Sequence, residues 1–279
     1  MLRYLLKMNL DLNNFYKHST KIIKGSIIDL SDIEFIHPWS IVMICLLLIE
    51  RSAMSDKKLI LPTKQETKSY LKRMHFEKIL NELEYTEETK TLNAIGITTH
   101  LNLNVQEITH CLYRDEFNAR LGHFLSMFTN FGLNEDDAHR ATALVGELGN
   151  NVFDHNLGNW PTNVVGCIIA AQHYPRLRKI EISVGDPGVG FYRSLKVAFP
   201  KIQNDLEAIK LGLAGNTGRI GEVRGNGLKL IQQWTIQNFC GEVMIHSGEG
   251  LVIVAKEGMK EYTVNKILGT LAQFVINYN

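Results

Sequence analysis

An α/β fold with a small N-terminal βαβ layer is what the sequence predicts, and three observations lead there. In the first 80 residues, short strand-like runs ended by proline alternate with helical runs. Two apolar strand-like runs lie back to back within residues 163–184. A long helical stretch before them carries one polar and one apolar stripe side by side.

The chain has 279 residues, of which 45% are hydrophobic, enough for a real core in one large or two ordinary domains. Thirty Lys and Arg against 29 Asp and Glu give a net charge of +1, which offers no general nucleic-acid or membrane-surface binding. Cys45, Cys111, Cys167 and Cys240 are scattered without a C-x-x-C pair, as expected of reduced thiols rather than of disulfides or a zinc site. The start, M-L-R-Y-L-L-K-M-N-L, is too interrupted for a signal peptide. The apolar run Trp39 to Ile49 falls short of the roughly 20 residues that span a bilayer. A soluble, cytoplasmic protein is expected.

Residues 1 to 24 are mixed, with room for a short helix or strand. G-S-I-I-D-L-S-D-I-E-F-I-H-P then reads as a strand, a turn at Ser31–Asp32 and an extended piece stopped by Pro38. Ser40 to Ala53 is helical and apolar nearly all round, hence buried. K-K-L-I-L-P is a short strand ended by Pro62. Gln65 to Leu80 is an amphipathic helix with Tyr70, Leu71, Met74 and Ile79 inward. The strands of this layer are expected to be parallel.

Glu82 to Lys90 is charged, a linker or a helix end, and A-I-G-I-T-T-H-L after it can form a strand. Asp115 to Phe131 is helical through Phe117, Leu121, Phe124, Leu125 and Phe128, and stops near Gly132. Asn134 with the acids after it caps the next helix, and Gly158 to Pro161 makes a turn. Asn163–His173 and Lys179–Val184 read as a hairpin. Phe191 to Gly221 is irregular and ends glycine-rich; a helix runs from Leu228 to Phe239. Gly241–His246 and Leu251–Ala255 suggest a hairpin around Ser247–Gly250, and the tail from Met259 a last helix.

Ile27 to Leu80 resembles the STAS family, the fold of anti-sigma-factor antagonists, through I-I-D-L-S-D-I-E-F-I, the buried helix, L-I-L-P and Y-L-K-R-M-H-F. That family follows its F-I strand with a D-S-S-G phosphorylation motif. Here the place reads His37-Pro38-Trp39-Ser40, and the acceptor position holds Trp39, which has no hydroxyl. The resemblance therefore implies a docking or structural role.

The chemistry lies in three motifs. Glu147, Asn151 and His155 recur every four residues, just over one helical turn, beside the apolar stripe Ala141, Val145, Leu148 and Val152. Asp186-x-Gly188-x-Gly190 ends a strand, and Gly225-x-Gly227-Leu228 opens a helix. Each is weak alone. Together they match a nucleotide site. A carboxylate at a strand end accepts from the exocyclic amine of adenine, where guanine carries a carbonyl. Gly188 and Gly190 let a base approach the backbone. Gly225 and Gly227 bare backbone N–H groups at a helix start for phosphate oxygens. Asn151 offers an oxygen to Mg²⁺, and Glu147 can polarise a water aimed at the terminal phosphate. Arg219 or Arg224, in the glycine-rich stretch, supplies positive charge. Position 230 is leucine, so no dinucleotide fingerprint is present, and there is no G-x-x-x-x-G-K-[ST] loop.

This order of motifs, over Asp115 to Lys256, resembles the GHKL (Bergerat-fold) ATPase superfamily of gyrase, heat-shock chaperones, histidine kinases and mismatch-repair ATPases. The resemblance implies a two-layer α/β sandwich with a mixed sheet and ATP held under a lid. It implies Asn151 as magnesium ligand, Glu147 as base, Asp186 as adenine reader, Gly188 and Gly190 around the base, and Gly225 and Gly227 at the phosphates. His155 stands where anti-sigma-factor kinases also carry histidine. Asp154 stands where sensor kinases have lysine, a loss that Lys229 can offset. His100, His110 and His123 form no phosphoacceptor box, which excludes a standard two-component kinase.

The expected division is a STAS-like domain over 1–85, a linker with room for a connecting strand over 86–114, an ATP-binding domain over 115–258 and a C-terminal helix over 259–279. The expected function is binding and slow hydrolysis of Mg-ATP, with the nucleotide state controlling contacts to a protein partner or within a homodimer. A serine/threonine kinase of a partner switch and a non-catalytic interaction protein with a degenerate site are the alternatives.

Overall fold

Proline and turn residues cut the first segment into short strands. The computed structural model describes residues 8–96, 104–156, 158–217 and 227–278. The chain opens with β1 (Met8–Leu10), α1 (Leu12–Lys17), α2 (Ser19–Ile22), β2 (Ile23–Lys24), β3 (Ile27–Asp29) and β4 (Ile33–Ile36). Then come α3 (Pro38–Arg51), β5 (Lys58–Ile60), α4 (Gln65–Arg73), α5 (Phe76–Glu82) and α6 (Thr86–Asn93). β3 and β5 pair in parallel, as the βαβ pattern predicts, and β2 adds to β3 antiparallel. β1 and β4 form a second parallel pair.

Pro38 opens α3 at a position that needs no backbone N–H. Every residue of α3 except Glu50 is buried. Even Arg51 is held inside, donating to Gly25 O at 2.9 Å and Leu47 O at 3.1 Å. The amphipathic helix expected over 65–80 is broken: His75 adopts φ 57°, and the chain restarts as α5. Tyr70, Leu71, Met74 and Ile79 are nonetheless buried as expected.

The charged stretch after Glu82 becomes α6, whose Leu92 is fully buried. Ala94–Gly96 is turn and bend rather than strand, and the rest of that expected strand lies outside the described residues. The chain continues through β6 (Val105–Cys111), α7 (Arg114–Ala119), α8 (Leu121–Asn130), α9 (Glu135–Asn156), β7 (Cys167–Tyr174) and β8 (Lys179–Asp186). Asn134 Oδ1 accepts from Asp137 N at 2.9 Å, so the expected cap starts α9. α10 (Gly190–Lys196) and α11 (Asp205–Leu213) occupy the stretch expected to be irregular. α12 (Gly227–Gln237), β9 (Val243–Ala255) and β10 (Gly258–Asn277) complete the chain.

Two expectations fail here. The tail is not a helix: β10 is a 20-residue strand. No hairpin turns at Ser247–Gly250, because β9 runs unbroken through those residues and the reversal comes at Lys256–Glu257. Residues Leu271–Ile276 of β10 lie between β8 and β9 and are buried without a break. That removes the alternation by which a half-exposed strand is recognised.

The five strands are ordered β6-β7-β8-β10-β9. All four pairings are antiparallel. The mixed sheet expected for this part is thus absent among the described residues; mixed pairing occurs only in the small β2-β3-β5 sheet. One face of the five-stranded sheet packs on α9 through Val145, Leu148, Val152, Ile169, Ile182 and Val184. The other packs on α3, with Ile168, Ala170, Met244, Leu271 and Val275 in the same apolar core as Ile28, Leu59 and Leu71. The expected N-terminal unit therefore shares its core with the back of the large sheet. No helix among the described residues is long and apolar enough to cross a membrane.

Candidate functional site

The stripes expected on α9 are both present. Ala141, Val145, Leu148 and Val152 are buried, while Glu147, Asn151 and His155 are half-buried beside them. β8 ends at Asp186 on the face covered by α9. Asn151, His155, Asp186, Gly190 and Leu228, from segments far apart in sequence, line one pocket. It holds about 680 Å³ of empty space, the solvent at its mouth included. Phe191, Ser194, Gly212, Asn216 and Thr270 complete much of its wall.

Asp186 is only 5% exposed. Its Oδ1 accepts from Asn156 Nδ2 at 2.8 Å and from Gly188 N at 2.9 Å. Burial pushes its carboxyl up to about 7, against the two hydrogen bonds, which favour the charged form. The group therefore titrates near neutrality inside an apolar pocket, a feature concentrated at functional sites.

The glycines of the turn are also needed for packing within the protein, and Gly190 lines the pocket. A Cβ at Gly188 would lie 2.1 Å from Asn156 Oδ1, and one at Gly190 would lie 2.7 Å from Ser247 Oγ. The space they leave is filled by the protein's own side chains. Gly190 also needs its φ of 74°, which disfavours a side chain. Ser247 Oγ accepts from Phe191 N at 2.9 Å and donates to Gly269 O at 3.0 Å, so β9 and β10 hold the turn from behind.

At the other end of the stripe, Glu147 stands outside the pocket wall and against the start of α12. A Cβ at Gly227 would lie 2.3 Å from Glu147 Oε2 and 3.8 Å from Asn151 Nδ2. The first and third motifs thus meet, with bare backbone at a helix start facing a carboxylate and an amide. Gly225, Arg219 and Arg224 lie outside the described residues. His155 Nδ1 is 3.2 Å from Ser194 Oγ on α10. Asp154 has a structural explanation: it forms an ion pair with Arg114 of α7. Among the described residues no three His, Cys, Asp or Glu side chains gather as a metal cage.

Sequence reasoning missed Asn156, Ser194, Ser247 and Thr270. Asn156 follows the stripe directly, but its partners come from 30 and 33 residues away. Thr270 lies in the tail expected to be helical, where it pairs with Asp186 across β8 and β10. Neither protein-family models nor the curated proteins gave a match to this chain.

Proposed function

We propose that this protein binds Mg-ATP and hydrolyses it slowly, on the plan of the GHKL ATPases, with the nucleotide state controlling protein contacts. The observation that carries the reading is the convergence of Asn151, His155, Asp186, Gly190 and Leu228 on one apolar pocket around a buried carboxylate. An apolar pocket with a few placed polar groups is the usual form of a small-molecule site. Asp186 reads the exocyclic amine of adenine. The backbone at the start of α12, from Gly227 onward, takes phosphate oxygens. Magnesium needs few protein ligands, and its chemistry fits Asn151 together with phosphate oxygens and water. When bound, it neutralises phosphate charge. Glu147, one turn along α9, orients the attacking water.

Thermal unfolding with ATP, ADP and GTP, each with and without Mg²⁺, tests this. A ligand bound to the folded state alone must raise the melting temperature. ATP and ADP should do so and GTP should not. No shift with any adenine nucleotide overturns the reading, and equal shifts with GTP overturn the role of Asp186.

A further inference from the structure

We propose that Asn156 is a positioning residue for base recognition: it clasps one oxygen of Asp186 and leaves the other to the ligand. The proposal rests on the adenine-nucleotide reading above. Asn156 is the last residue of α9 and 3% exposed. Val189 N donates to its Oδ1 at 2.9 Å. A backbone N–H can only donate, so the amide oxygen must face Val189 and the amide nitrogen must face Asp186. Nδ2 then donates to Asp186 Oδ1 at 2.8 Å, and Gly188 N donates to the same oxygen at 2.9 Å. Two donors on one oxygen fix the plane of the carboxylate. Among the described residues Asp186 Oδ2 accepts no hydrogen bond. Gly188 is required by the same clasp, since any side chain there would collide with the Asn156 amide.

The clasp also bears on which base is chosen. Both donors favour the ionised carboxylate and so oppose the effect of burial. An ionised oxygen accepts from an amine and repels a carbonyl. A protonated one can donate to a carbonyl. Asn156 thereby favours the amine-accepting form of the reader against the effect of burial.

Asn156→Asp is the informative variant. It preserves size and the acceptor for Val189 N, removes the donor to Asp186, and sets two carboxyls side by side, which then share a proton. Carboxyl ¹³C titration of Asp186, and melting shifts with ATP and GTP from pH 6 to 9, should be measured on the wild type and Asn156→Asp. The expected result is an Asp186 titration moved up by about one unit or more, a roughly tenfold weaker apparent ATP affinity at pH 7, and partial recovery at pH 9. Discrimination against GTP should narrow. A lowered melting temperature with unchanged titration and unchanged base preference would mean a merely structural asparagine and overturn the proposal. In the wild type, the Asn156 side-chain amide protons should shift as Asp186 titrates, whether or not the variant folds; a flat response also overturns it. If ATP gives the wild type no protection, the nucleotide reading fails, while the titration and the amide response still decide the clasp.

Discussion

Asp186 concentrates the electrostatic cost of the site in a single group. Its folded value, about 7, lies above the ordinary 3.8 of an aspartate because burial penalises the charge. For a group raised in the folded state, the stabilisation is complete below the unfolded value. It is lost as pH rises through the folded value. Three units correspond to about 4 kcal/mol lost between pH 4 and 8, an upper bound. Asp186→Asn keeps an oxygen for Asn156 Nδ2 and Gly188 N but carries no charge. Its melting temperature relative to the wild type should therefore climb steadily from pH 4 to 8. A constant difference across that interval would show that Asp186 does not titrate there. If Asp186 reads adenine as proposed, the same variant should lose protection by ATP, because the side chain is then free to present an amide N–H to the base.

Along α9 the spacing of residues sets the spacing of the proposed roles. Steps of four and five residues advance the helix by about 6 and 7.5 Å, so Glu147, Asn151 and Asn156 stand in sequence from the start of α12 to the end of β8. Glu147→Ala should leave ATP protection intact and abolish hydrolysis, as measured by phosphate release; unchanged turnover would remove Glu147 from the reaction. The variant also frees the space above Gly227, where Glu147 Oε2 now excludes a side chain. This helix was legible in the sequence because a solvent-facing surface keeps the 3.6-residue period. Asn134 marked its start as well. β10 was not legible, because Leu271, Ala272, Phe274, Val275 and Ile276 are covered on both faces and carry no alternation. Ser247 was hidden for a related reason. S-G-E-G has turn composition, yet it lies within a continuous strand, where Gly248 and Gly250 make room for Asp205 and the start of α11. Asn156 was invisible because its meaning is tertiary: a helix end meeting a strand end.

At the scale of the molecule, α3 is the element through which the N-terminal segment and the candidate site share one structure. A helix buried all round needs partners on every side, and α3 has them, with the small sheets on one side and the five-stranded sheet on the other. The junction also carries specific polar contacts. Tyr16 OH donates to His246 Nδ1 at 2.7 Å, because His246 Nε2 must itself donate to Gly248 O. Burial pushes His246 down to about 4, so the ring stays neutral and the bond persists at physiological pH. His37 Nδ1 lies 3.1 Å from Glu181, five residues before Asp186 on β8. Closest to the site, a Cβ at Gly185 would lie 2.6 Å from Val42 and 3.2 Å from Leu46, so α3 packs directly beneath the residue before Asp186. Such a shared core should unfold as one unit, giving a single calorimetric transition whose measured enthalpy equals its van't Hoff enthalpy. Leu46→Ala removes a side chain that is 1% exposed and should cost about 2–5 kcal/mol. It should lower that one transition as a whole and weaken ATP protection, although Leu46 lies on the opposite face of the sheet from the pocket. Two resolved transitions, with Leu46→Ala moving only one of them, would instead mean that the N-terminal segment folds independently and that the sheet's back face is only loosely covered.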